Sequence, residues 1–336
     1  MALTLHGTVS DNTVALDRKT ATPLIINGDM AIAQRGDQAG ITGSGYYAVD
    51  RYKLSLVNQG TWTVTQSNDV PTGQGFAKSL KIDCTTADAS PASDDIIFFQ
   101  QKMEGQNLQM LKKGTSDAES LTVSFWVKSA KTGTYVCEVN DEDNDRAISQ
   151  SYTISSANTW EKKVLSFAGD TTGTLTNDNN ASLRVNWFLG AGSNYTSGTL
   201  ATSWSSRTLT DIAVGQVNLA DSTSNDWYMT GFQLEIGTFD ANSIPPFQFE
   251  DVGTSLARCQ RYFTKTLAAL EGSSGGVGSK KVFWFFKQTM RATPTISFVN
   301  GAKDGDTFLT ADGYGIYRTG DNSPNIGSGT TADAEL

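Results

Sequence analysis

The stretch "SLTVSFWVKSAKTGTYVCEV", residues 120–139, decides the fold class. Leu121, Val123, Phe125 and Val127 recur at every second position, the spacing that gathers side chains on one face of an extended strand. Thr132 and Gly133 interrupt the run and Tyr135 with its neighbours resumes it, so the stretch reads as two strands, the second returning antiparallel beside the first. Upstream, "YKLSLVNQGTWTVTQS" (52–67) repeats the pattern. Tyr52, Leu54 and Leu56 share one side, an Asn-Gln-Gly turn follows, and Trp62 and Val64 resume, which reads as a second hairpin.

Alternation of the same kind runs through "DDIIFFQQK" (94–102), "TWEKKVLSFAG" (159–169), "ASLRVNWFLGAG" (181–192) and "WYMTGFQLEIGTF" (227–239). The intervening "MEGQNLQMLKKGTSDAES" (103–120) holds room for one helical turn ending at Gly114. Strands this closely spaced, with no long helices between them, suit a two-sheet sandwich better than a parallel sheet. The 32 glycines and a charged fraction of only 18% agree with an all-β chain of short strands and polar turns.

At 336 residues the chain has room for one large β domain with appendages, or for two domains. Residues 1–22 are polar and unpatterned and carry the only histidine, His6, so they read as a tether ordered by a partner. Residues 23–250 form the sandwich. Residues 251–265 form a short helix, with Leu256, Cys259, Tyr262 and Phe263 at helical spacing and Thr254 or Ser255 as its cap. Beyond them, 266–336 read as a small C-terminal β domain that opens on a glycine-serine joint, "EGSSGGVGSKK" (271–281). In "KVFWFF" (281–286), Phe283, Trp284, Phe285 and Phe286 are too apolar for a strand exposed on one face, so they are expected in an oligomer interface.

The net charge of −9 opposes nucleic-acid binding, which depends on clustered Lys and Arg. No run of about 18 apolar residues is present, so membrane insertion is not expected. The first residues lack the apolar core of a signal peptide, which points to synthesis in a cytoplasm. Cys84, Cys137 and Cys259 are odd in number and far apart, as expected of buried free thiols.

Catalytic chemistry is poorly supplied. No Gly-x-Ser-x-Gly elbow, phosphate-binding loop or paired Cys-x-x-Cys occurs, and His6 stands in the tether, so no enzyme is expected. In "EVNDEDNDRAIS" (138–149), Asp141, Asp143 and Asp145 match the first oxygen positions of an EF-hand. Arg146 stands where the turn needs glycine and Tyr152 where the bidentate Glu belongs, so the cluster reads as a solvated hairpin tip. Glu235 is the acid most embedded in a strand and is expected to face solvent. Tyr195 and Trp204 in "GAGSNYTSGTLATSWSS" (190–206), with Tyr46 and Tyr47 in "GITGSGYYAVDRY" (40–52), set flat rings among small polar residues. Such a setting suits the face of a sugar.

The succession "LIINGDMAIAQRG", "AVDRYKLSL", "SLTVSFWVKS", "GTYVCEV", "TWEKKVLSF", "WYMTGFQLEIG" and "PFQFEDVGTSLARCQRYF" resembles the jelly-roll β-sandwich of carbohydrate-binding modules found in bacteriophage tail-fibre and virion surface proteins. The final "TADAEL" is similar to the ends of phage fibre tips. The resemblance implies a non-enzymatic virion structural protein, a tail fibre or receptor-binding appendage. Such a protein would be attached through its N-terminal segment to other virion proteins, assembled as a homo-oligomer, a trimer, and adherent to host surface glycan. A capsid decoration protein (head fibre or cement) is the alternative and a polysaccharide depolymerase the third. The family often holds a structural calcium with an Asp in the last strand, where this chain has Gly231 or Phe232. That departure argues against calcium, so no cofactor is expected, although Asn27 and Asp29 match the region of the other ligands.

Overall fold

The computed structural model describes residues 19–266, 270–271, 279–298, 306–319, 325–326 and 328–336. Residues 1–18 of the expected tether, with His6, and residues 272–278 of the glycine-serine joint lie outside the described residues.

Two antiparallel layers are built from β1 (Gln38–Ile41), β2 (Gly45–Tyr46), β3 (Lys53–Val57), β4 (Thr61–Ser67), β5 (Ser79–Thr86), β6 (Ile96–Glu104), β7 (Leu121–Ser129), β8 (Gly133–Asp141), β9 (Arg146–Ile154), β10 (Glu161–Phe167), β11 (Ala181–Ala191), β12 (Ser205–Ser206) and β13 (Asp226–Ile236). One sheet has the order β1-β4-β5-β13-β7-β10 and the other β12-β9-β8-β11-β6-β3-β2. The all-β sandwich expected from the alternation is therefore the fold.

The two strands of the deciding stretch do not pair. β7 hydrogen-bonds to β10 and β13, and β8 to β9 and β11, so the turn between them crosses from one layer to the other. The expected hairpin is an arch. Leu121, Val123, Phe125 and Val127 on β7 face Tyr135, Cys137 and Val139 on β8 across one shared core, so each apolar face covers the other. Tyr135 Oη donates to the Lys131 carbonyl at 2.9 Å and Ser129 Oγ to the Asp226 carbonyl at 2.5 Å, which fixes the crossing. The same correction applies to residues 52–67, because β3 and β4 lie in different sheets. There Asn58 and Gly60 adopt positive φ, and Trp62 Nε1 donates to the Gln59 carbonyl at 2.7 Å.

Trp62, Trp187 and Trp227 are fully buried in the core. Trp187 of β11 meets Phe232 of β13 edge-on at 4.5 Å, an aromatic contact from one sheet to the other. Cys84, Cys137 and Cys259 are buried and free, as expected. Residues 103–120 hold two short 3₁₀ turns, Gly105–Asn107 and Gln109–Leu111, where one helical turn ending at Gly114 is expected.

The helix spans Val252–Gln260, and its cap is Asp251, not Thr254 or Ser255: the Asp251 carboxylate accepts the Thr254 N–H at 3.0 Å. After it come β14 (Phe263–Lys265), β15 (Leu270–Glu271), β16 (Ser279–Phe285), β17 (Thr295–Ser297), β18 (Asp306–Leu309), β19 (Gly313–Thr319), β20 (Asn325–Ile326) and β21 (Thr331–Asp333). They form small sheets in the orders β14-β21-β17, β15-β20 and β16-β19-β18.

"KVFWFF" splits by strand parity. Val282, Trp284 and Phe286 turn inward onto Met290, Tyr314 and Ile316, so Trp284 and Phe286 belong to the protein's own core and not to an outer surface. Phe283 (47% exposed), Phe285 (76%) and Phe308 (55%) point outward. No helix among the described residues is long and apolar enough to cross a membrane.

Candidate functional site

The inner face of the seven-stranded sheet is spent on the core, so its chemistry lies on the outer face. Strand parity selects what appears there. With Ile97, Phe99 and Met103 of β6 turned inward, Phe98, Gln100 and Lys102 point out; with Leu183, Val185, Trp187 and Leu189 of β11 inward, Arg184, Asn186 and Phe188 point out. The register aligns them. Lys53 of β3 opposes Gln100, Gln100 opposes Asn186, and Asn186 opposes Glu138 of β8. In the next rows Lys102 opposes Arg184 on one side, and Ser55, Phe98 and Phe188 align on the other.

The surface so formed has an aromatic end and a charged end. At the first, Phe98 and Phe188 meet as a tilted pair at 5.2 Å in a small apolar cluster with Val136 and Ile212, and Phe98 is half-buried. At the other, Glu138 is fully buried and takes a bidentate pair of hydrogen bonds from Arg207, Nε at 2.9 Å and Nη2 at 3.2 Å, with Asn186 Nδ2 at 2.6 Å. Glu142 bridges Lys102 at 3.1 Å and Arg184 at 2.8 Å. Burial holds the Arg184 guanidinium below its ordinary value, although Glu142 pulls the other way. Between the two ends lie the Gln100 and Asn186 amides.

Of the four aromatic residues singled out in the sequence, two sit at margins of this face. Tyr46 of β2 opposes Lys53, with its hydroxyl donating to the Leu336 carbonyl at 2.7 Å. Tyr195, in the single turn Ser193–Thr196, packs against the Phe98 cluster at the far end. Tyr47 and Trp204 pack against the main core instead. Tyr47 Oη donates to the Gly43 carbonyl at 3.0 Å, and Trp204 Nε1 to that of Ala168 at 2.6 Å. Sequence reading missed Phe98, Gln100, Lys102, Arg184 and Asn186. Their signal was the alternate letters of "IIFFQQK" and "LRVNWF", but only the register places them side by side.

The acidic apex between β8 and β9 is a true hairpin turn, yet it is not wholly solvated. Asp141 is fully buried: Oδ1 accepts the backbone N–H groups of Asp143 at 2.9 Å and Asn144 at 3.1 Å, while Oδ2 meets Lys113 and Asn144 Nδ2. Lys113 also bonds Asp170 at 2.9 Å, and Arg146 bonds Asp170 at 2.7 Å. Here Asp141 and Asp170 are structural, held by cations inside the protein, while Asp143 and Asp145 are exposed. Glu235, expected to face solvent, is buried at 6% exposure, because β13 is central in its sheet and covered on both faces.

Asn27 and Asp29 do not fit a calcium site. Asn27 Nδ2 donates to the Ile32 and Asp50 carbonyls, at 2.9 and 3.0 Å, and its Oδ1 accepts the Ile32 N–H at 2.9 Å, so its side chain is consumed in closing its own loop. Asp29 carries a carboxyl pushed up by burial, against the lowering effect of the Ala31 N–H. No group of three metal-ligating acids, histidines or cysteines occurs among the described residues.

Away from this face, a cleft of about 710 Å³ opens between residues 19–26, the end of β6 and the 252–260 helix. Its buried acid, Glu104, is bonded by Arg261 at 3.0 and 2.8 Å and by Tyr262 Oη at 2.6 Å. Burial pushes that carboxyl up, but the Arg261 and Tyr262 bonds outweigh it and hold it below the usual range, the opposite of what a general acid needs.

No family model matches the chain, and no curated protein matches it. Among solved structures, it is similar to carbohydrate-binding modules and to part of a phage tailspike. The enzymatically active domain of tailspike protein 4 from bacteriophage CBA120 aligns at 16% identity over 55% of this chain and 19% of that one, with a TM-score of 0.31. The family 11 carbohydrate-binding module of Clostridium thermocellum, solved with a β-1,3-1,4-mixed-linked tetrasaccharide, aligns at 8% identity over 61% of this chain and 98% of the module, with a TM-score of 0.31. The CBM22-2 xylan-binding domain of Paenibacillus barcinonensis Xyn10C aligns at 16% identity over 63% and 96%, with a TM-score of 0.30. This chain thus spans about a fifth of the tailspike's length and nearly all of either module.

Proposed function

We propose that the chain is a non-enzymatic virion surface protein, a tail fibre or receptor-binding appendage, that adheres to host surface glycan through the outer face of the seven-stranded sheet. One observation carries the reading: a half-buried ring, Phe98, stands in line with the Gln100 amide on its own strand and beside the Asn186 amide on the next. A sugar offers C–H bonds to a ring, which the half-buried Phe98 can take, and hydroxyls to polar groups, which the partly exposed Lys53 supplies along the face, the Gln100 and Asn186 amides lying beneath at 2% and 0% exposure. Binding is favoured over hydrolysis because Glu138 and Glu142 are each held by cations and neither is positioned as a free proton donor. Replacing Phe98 by Ser should weaken adhesion of the full chain to purified host surface polysaccharide about ten-fold, the loss of roughly 1.4 kcal/mol of stacking and apolar contact. Undiminished adhesion in a biosensor assay removes this face from consideration, and immunogold label confined to the head favours the capsid-decoration alternative.

Adhesion through modest single contacts gains from several copies, by about 10²–10⁴ in avidity. The outward rings of Phe283 and Phe285 stack at 6.0 Å on β16, an edge strand, and with Phe308 form an apolar surface suited to a second and third copy of the chain. The double substitution Phe283→Lys and Phe285→Lys is expected to convert a trimer into monomers by light scattering. A wild-type protein that is already monomeric at micromolar concentration rejects this role for the face.

A further inference from the structure

We infer that the glycan recognised on the outer face of the seven-stranded sheet is acidic, with a sugar carboxylate seated at the corner formed by Lys53, Lys102 and Arg184. The inference rests on the glycan-binding reading above and adds its charge class.

The corner is unbalanced in charge inside a chain whose net charge is −9. Glu142 is the carboxylate bonded there, and it is already shared between Lys102 and Arg184. Among the described residues no carboxylate lies within ion-pair distance of Lys53, whose ammonium has only the Tyr46 ring at 6.0 Å. Farther along the face, Arg207 is matched by the buried Glu138, and the exposed Asp145 adds a more distant negative charge near Arg184. Burial, and then Lys102 and Arg184 as like-charged neighbours, hold the Lys53 ammonium below its ordinary value, while Glu142 opposes them. An anion placed among the three cations relieves that repulsion.

The second observation is independent of charge. Gln100 and Asn186, buried to 2% and 0% exposure, oppose each other on β6 and β11 beside the corner, and each keeps a carbonyl oxygen without a hydrogen-bond partner. The Asn186 amide is oriented by its donation to Glu138, and that of Gln100 donates to Ser55 Oγ at 2.8 Å, so both oxygens remain as unpaired acceptors enclosed beneath the face, open to a ligand only where it displaces the side chains above them. The Arg184 Nε, equally buried, lacks an acceptor. Acceptors that need hydroxyl donors next to cations that need an anion describe one ligand with both groups, a uronic-acid-type sugar. A free phosphate or a neutral glucan answers only half of the set.

The test uses the full chain against immobilised alginate, oligogalacturonate, hyaluronate and polysialate, each beside its carboxyl-reduced derivative, with cellotetraose and xylohexaose as neutral probes. Binding is expected to at least one carboxylated member, to fall about ten-fold on carboxyl reduction or on Lys53→Gln, to recover with Lys53→Arg, and to weaken as salt is raised. Binding that is equal before and after carboxyl reduction, or confined to the neutral probes, overturns the acidic assignment and leaves the glycan reading standing. Acidic binding that Lys53→Gln does not change overturns the corner as its seat. Failure to bind any carbohydrate on the panel rejects the glycan reading and this inference with it.

Discussion

Replacing Lys113 by Met is expected to destabilise the protein by about 3–5 kcal/mol, the range found when one partner of a buried ion pair is removed. The ammonium of Lys113 is almost wholly enclosed and satisfies two buried carboxylates, Asp141 and Asp170, together with the carbonyls of Thr172 at 3.0 Å and Gly173 at 2.9 Å. Asp170 keeps its two bonds from Arg146, at 2.7 and 2.9 Å, after the substitution. Asp141 keeps only N–H donors, so an uncompensated charge remains at the base of the β8–β9 turn. Thermal unfolding followed by circular dichroism should show a midpoint roughly 10 °C lower, using about 2–4 °C per kcal/mol for a domain of this size. Adding Asp141→Leu should restore part of the loss, since the stranded charge goes with it. A change below about 1 kcal/mol for Lys113→Met contradicts the structural role assigned to the apex.

The same network has a pH signature. Burial alone raises the Asp170 carboxyl, but hydrogen bonds from Arg146 and Lys113 outweigh it and hold it below its ordinary value of 3.8. A depressed carboxyl contributes stability that is present above that value and is lost as the pH falls through the folded-state value. Acid therefore loosens the apex from within, and Lys113→Met removes part of that acid sensitivity along with the stability.

What could be read in advance follows from what alternation encodes. Parity along "SLTVSFWVKS" and "TYVCEV" names the face each side chain takes, and those faces are the observed ones. It does not name the partner strand. A Thr-Gly turn permits a hairpin or an arch, and the choice falls to the arch because both strands carry an apolar face that needs the same core. Polar clusters mislead for a related reason: Asp141 reads as wet because its neighbours are polar, while its burial depends on Lys113, supplied 28 residues earlier in the chain. The candidate face escaped for want of register. Lys53, Gln100, Asn186 and Glu138 lie far apart in sequence and form a row only after four strands pair.

Arg51→Leu is expected to cost about 3–5 kcal/mol as well, and to do so by releasing the C-terminal segment from the sandwich. Arg51 is 1% exposed and adopts a positive φ of 76°, which commits its backbone to an uncommon conformation and points a charged side chain inward. Its guanidinium lies over the Tyr262 ring at 3.4 Å, donates to the Lys102 carbonyl at 2.8 Å and pairs with Glu335, one residue from the chain end. Around it, Arg35 binds Asp333 at 3.1 Å and Tyr46 holds the Leu336 carbonyl. Leucine fills part of the volume but leaves the enclosed Glu335 carboxylate with Arg35 at 3.3 Å as its remaining cation and with Asp50 as a like charge, whose own carboxyl is pushed up to about 6 mainly by burial. Arg51→Lys should recover little, since an ammonium cannot stack on the ring and bridge carbonyl and carboxylate as a planar fork does. Limited proteolysis is the decisive measurement: in Arg51→Leu, cleavage near residue 266 should outpace unfolding of the sandwich, giving a stable fragment of residues up to about that point. If the variant is instead cleaved no faster than wild type at that site, the C-terminal segment is held by its other contacts, the β14–β21 pairing, Arg35–Asp333 and Tyr46–Leu336, and the Arg51–Glu335 pair has no docking role.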